Sequence, residues 1–134
     1  AELKMILGGM GVQFISSGTY VSKAFDAGMS AAFNRFQATV SQPAQTTVKL
    51  QVSTAYAVDG SCNGVPYTYL GPDGDPGQYF VTGADPDLIS GFVPLTTIGN
   101  YTNPGRCFSY KAYLDSTDTT ATPVLDDLTV NYSP

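Results

Sequence analysis

Side chains that could move a proton near neutral pH are almost missing from this chain, which has no His and a single Glu, Glu2, in 134 residues. A Ser, Thr or Cys nucleophile would need Lys, an N-terminal amine or a carboxylate as its base, and no such set stands at a recognisable spacing. Glycoside hydrolysis needs two carboxylates flanking one bond, one with a raised pKa. The Asp pairs Asp73/Asp75 and Asp85/Asp87 sit beside Pro and Gly, where Asp ordinarily shapes turns. The expectation is a protein that is not an enzyme.

Four other chemistries remain. Asp73-Gly74-Asp75 offers two hard oxygen ligands on a loop, as calcium requires, but lacks the further acids of an EF-hand; a weak structural calcium site competes with a plain Asp-Gly turn. Tyr67, Tyr69, Tyr79 and Tyr101 lie near Asn and Asp and could stack on sugar rings, against the reading that they cover a core. The absence of Trp weakens the sugar reading. Cys62 and Cys107 are read as one disulfide, with two buried free thiols as the alternative. Asn100-Tyr-Thr102 and Asn131-Tyr-Ser133 match the glycosylation sequon.

Composition narrows the setting. Charged residues make up 13% of the chain, against about 25% in ordinary globular proteins. Ser, Thr, Gly and Tyr take their place, and such hydroxyl-rich faces suit packing against subunits or sugars. The net charge is -5, and the six basic residues are scattered, so no stripe collects phosphates and nucleic-acid binding is not expected. No apolar run is long enough to span a membrane as a helix. Ala1 at the start matches what signal peptidase leaves, and the expected location is extracellular, at the cell surface.

Short alternating segments between turns must position these residues. Thr47–Thr54 is the clearest, with Val48, Leu50 and Val52 on one face and Lys49, Gln51 and Ser53 on a face expected to meet solvent. Tyr20–Phe25, Phe33–Val40, Tyr67–Leu70, Tyr79–Thr82, Leu88–Val93, Cys107–Leu114 and a last segment with Leu128, Val130 and Tyr132 complete the set, with a break at Asp26-Ala27-Gly28. The fold class is therefore all-β, an antiparallel β-sandwich or jelly roll spanning 18–134 with one disulfide.

Residues 1–17 differ in being apolar and rich in Gly, and Gly8, Gly9 and Gly11 disfavour a helix. Either Val12–Ile15 is the first strand, or an extended N-terminal arm packs into a neighbouring subunit through Met5, Ile6, Leu7, Val12, Phe14 and Ile15.

The segments Ser17-Gly-Thr-Tyr-Val-Ser-Lys-Ala-Phe-Asp-Ala-Gly28, Thr47–Thr54, Leu70-Gly-Pro-Asp-Gly74 and Thr122-Pro-Val-Leu-Asp-Asp-Leu-Thr-Val-Asn-Tyr132 resemble a β-sandwich module of secreted bacterial surface proteins. The resemblance runs over nearly all the chain from Ser17. A solitary domain of this kind is similar to a subunit of an extracellular fibre, such as the globular chain of a two-chain type IV pilin, whose hydrophobic helix belongs to another polypeptide. It implies a structural subunit of a filament, pilus or surface assembly with copies of itself or another subunit as partners. A module binding carbohydrate or cell surfaces is the alternative.

Overall fold

The computed structural model describes residues 17–93, 102–118 and 120–134, together with the backbone of 2–6. Among the described residues seven strands are formed: β1 (Glu2–Ile6), β2 (Ser17–Val21), β3 (Phe25–Ser41), β4 (Thr46–Ala55), β5 (Leu88–Phe92), β6 (Gly105–Ser116) and β7 (Val124–Ser133). All their pairings are antiparallel. Sheet A runs β1-β7-β3-β5. Sheet B has β6 at its centre, with β4 along one side and β2 along the other. The result is the expected sandwich with its disulfide, Cys62 to Cys107.

One strand belongs to both sheets. The start of β3 pairs with β6, Phe25 against Phe108 and Ala31 against Gly105, whereas its remainder pairs with β7 and β5. The break expected at Asp26-Ala27-Gly28 is therefore a bulge inside a 17-residue strand. Gly28 adopts φ +81°, a left-handed conformation that favours Gly, and its N–H donates to the Asp26 carboxylate at 2.7 Å. Where β3 enters sheet A, the Asn103 side chain acts as a short piece of strand. It accepts from Phe33 N–H at 2.9 Å and donates to Phe33 C=O at 2.8 Å, while only 1% exposed.

The core lies between the sheets. Phe36, Ala38 and Val40 of β3, Val48, Leu50 and Val52 of β4, Phe108, Tyr110 and Ala112 of β6, and Leu128 and Val130 of β7 are buried in it, as their alternation predicts. A second shift of register, between Thr39/Asp127 and Val40/Leu125, turns Leu125 inward as well as Leu128 although they stand an odd number of residues apart. Each such side chain contributes roughly 1.5–3 kcal/mol on burial.

Two expectations are corrected. Tyr67–Leu70 and Tyr79–Thr82 are not strands of their own; they touch the sheets through single bridges, Leu70 to Val52, Phe80 to Leu50 and Thr82 to Ile89. Pro and Gly between them prevent a longer ladder. The second face of β4 meets solvent only at its start, at Thr47 and Lys49; Gln51 and Ser53 are each 2% exposed beneath that same connecting segment. The N-terminal strand is Glu2–Ile6, paired in the same chain with β7 from Glu2/Asn131 to Ile6/Asp127. A strand over Val12–Ile15 lies outside the described residues.

Candidate functional site

The segment connecting β4 to β5 forms a roof over the outer face of sheet B, and polar side chains fasten it there. Gln51, projecting outward from β4, donates through Nε2 to the carbonyls of Pro76 and Gln78, both at 2.9 Å, and accepts from the Tyr113 hydroxyl at 2.6 Å. Tyr69 shares a hydrogen bond of 2.9 Å with Ser109. Tyr67 donates to the Cys62 carbonyl at 2.7 Å; burial first, then Tyr69 and the charge of Asp26, raise its phenol above the ordinary tyrosine pKa. Gly71 lets the roof double back tightly, since a Cβ there would collide with the backbone of Gln78.

A polar and aromatic groove of about 410 Å³ opens beside this roof, lined by Ser17, Gly18, Thr19, Lys49, Tyr79, Tyr113 and Asp115. Its floor is a row across three strands, Thr19 of β2 opposite Tyr113 of β6 opposite Lys49 of β4, with Ser17 facing Asp115 in the next row. Tyr79 descends from the roof to meet Tyr113 edge-on, with centroids 5.0 Å apart at 85°. Lys49 Nζ sits 4.7 Å from the centre of the Tyr79 ring, and Lys111 Nζ 5.2 Å from that of Tyr113.

A second groove, of about 280 Å³, runs between the end of β4 and the start of the roof and includes Thr54, Tyr56, Val58, Val65 and Pro66. The Thr54 hydroxyl, buried at its wall, has no hydrogen-bond partner among the described residues. None of the described residues lining this groove is a cation or a carboxylate.

The sequence-derived candidates divide accordingly. Of the four tyrosines, Tyr79 lines the first groove, Tyr67 and Tyr69 are structural struts of the roof, and Tyr101 lies outside the described residues. Tyr113, Lys49 and Asp115 were not singled out by sequence, yet Lys49 and Tyr113 are cross-strand partners on alternating strands. The Asp75 carboxylate accepts from Gly77 N–H at 2.7 Å, and Asp73 takes φ 59° in a short 3-10 turn, so the pair shapes a loop. Among the described residues no three His, Cys, Asp or Glu side chains gather to hold an ion. At the interface expected in the N-terminal arm, Met5 pairs with Leu128 and Ile6 with Asp127 within one chain, because β7 has an edge whose backbone groups β1 can satisfy. Leu7, Val12, Phe14 and Ile15 lie outside the described residues, as does Asn100; Asn131 is exposed on β7.

An ion pair was also missed. Arg106 grips Asp26 through Nε at 2.7 Å and a second nitrogen at 2.9 Å, and reaches the Gly60 carbonyl at 3.2 Å. The Arg106 hydrogen bond, followed by the Gly28 N–H, lowers the Asp26 pKa. It joins β3, β6 and the roof beside the disulfide.

No protein-family model and no curated protein matches the chain. Among solved structures, the infectious bursal disease virus VP2 subviral particle aligns over 96% of this chain at 13% identity with a TM-score of 0.40. The infectious bursal disease virus Gx strain aligns over 98% at 13% identity with a TM-score of 0.37. The chain spans 29% of the length of either viral chain. Its fold assignment stands on its own strand pairing.

Proposed function

We propose that this chain is a non-catalytic structural subunit of an extracellular filament, pilus or surface assembly. The observation that carries the reading is β1, which is the outermost strand of sheet A and is held there by β7. It belongs to an apolar, Gly-bearing segment. An edge strand of this kind can leave its own sheet and occupy the same β7 edge in a neighbour, which joins copies without new surface chemistry. The disulfide supports an oxidising, extracellular setting. The globular chain of a two-chain type IV pilin is the specific form we favour, by resemblance of the segments given above.

Removing residues 1–15 should leave a folded monomer by light scattering, while the full chain forms ordered fibres in electron micrographs of natively isolated material. Fibres from the truncated chain, or only monomers from the intact one, would reject the assembly role. A second reading, a module that binds carbohydrate, is favoured by the Tyr79–Tyr113 groove.

A further inference from the structure

We infer that the groove between Tyr79 and Tyr113 binds a saccharide bearing negatively charged substituents, of the uronic-acid class. The inference deepens the carbohydrate reading and is independent of the assembly one. Two tyrosine rings at 85° form an apolar corner against which the C–H face of a sugar can lie. Ser17 and Thr19 line the rim with hydroxyls that donate and accept, and Asp115 accepts from sugar hydroxyls. A volume of about 410 Å³ falls within the usual range for small-ligand sites.

Charge selects the class of sugar. The chain carries a net charge of -5, yet two of its six basic residues, Lys49 and Lys111, face this one strip of sheet B. Among the described residues neither ammonium pairs with a carboxylate; each lies over a ring of the corner instead. An ammonium against a tyrosine face keeps its N–H donors for a ligand, while Asp115 is the one carboxylate among the described residues of the groove. With Asp115 set against Lys49 and Lys111, the strip carries one net positive charge on an acidic protein, which favours an anionic chain whose carboxylates lie toward the lysines.

The site is also preorganised. Gln51 fixes the Tyr113 hydroxyl and the backbone next to Tyr79 at once, so the two rings hold their angle before a ligand arrives. Among the described residues the second groove has neither cations nor a ring pair.

The test is calorimetric titration of the full-length protein with tetragalacturonate, and with maltotetraose as an uncharged probe. Tetragalacturonate should bind in the micromolar to millimolar range, weaken as salt rises, and lose about tenfold in affinity in both Lys49→Ala and Tyr79→Ala, each loss equivalent to ~1.4 kcal/mol. Lys49→Arg should restore most of the binding, which a merely unfolded roof would not allow. Arg35→Ala, on the outer face of sheet A, should change nothing. Absence of binding, equal binding of maltotetraose, or affinity unmoved by both groove variants would overturn the inference. Fibre formation is read separately, so failure of either role leaves the other standing.

Discussion

On sheet A the outward side chains Arg35, Gln37 and Ser90 are exposed, while on sheet B the outward Gln51, Ser53 and Ser109 are buried under the roof. The residue types are alike, and local alternation is the same in both. What differs is a long connection with enough hydrogen-bonding partners to cover one face and not the other. A polar outward residue therefore does not mark a solvent-facing strand; it can equally be a fastening point for a second layer. The fastened face is also the one that carries the tyrosine corner.

Reduction of Cys62–Cys107 should produce the largest change, because this covalent tie joins the roof to β6 across 45 residues. On the chain-entropy model its loss costs about 4 kcal/mol. Thermal unfolding with and without reductant measures it, and hydrogen exchange should rise in the roof before it rises in β7. Equal loss of protection on both sheets would erase the distinction between the faces.

Gln51→Ala and Gln37→Ala compare the faces directly. Removing Gln51 leaves the Tyr113 hydroxyl and two roof carbonyls without their partner, at a cost of about 2–4 kcal/mol. Gln37 is exposed, and its replacement should stay within about 0.5 kcal/mol. Urea denaturation of the two variants checks the contrast, which fails if they fall together.

The smallest effect concerns acid. The Asp26 pKa is depressed in the folded state, so the stability it adds is complete above the ordinary aspartate range and disappears as pH falls through the folded value. Asp26 is solvent-exposed, so the change is slight. Asp26→Asn should flatten the acid limb of a stability–pH curve only in part, because Asp118 is lowered too, by its hydrogen bonds from Thr120.

The sandwich was legible because its core obeys period two: Val48, Leu50 and Val52, or Phe108, Tyr110 and Ala112, announce their face without knowledge of their partners. The disulfide was legible from the pairing of two cysteines in a hydroxyl-rich chain. The merging of Phe25 to Ser41 into one strand was hidden, since Gly28 reads as a stop locally and only β6, beginning at Gly105, makes it a bulge. The groove was half legible for the same reason. Tyr79 stood out in a loop, but Lys49, Tyr113 and Thr19 become neighbours only once three distant strands settle their register.

The register of β1 against β7 places Glu2 beside Asn131 and Ile6 beside Asp127, so the two strands enter and leave the sheet at the same end. Tension applied between those ends loads their rungs one after another, as in a zip fastener, and not all together in shear. The rest of the body is tied more widely, because β3 runs through both sheets and the cystine closes the roof onto β6. In the proposed assembly, such a seam would let a copy give up its first strand without melting its interior.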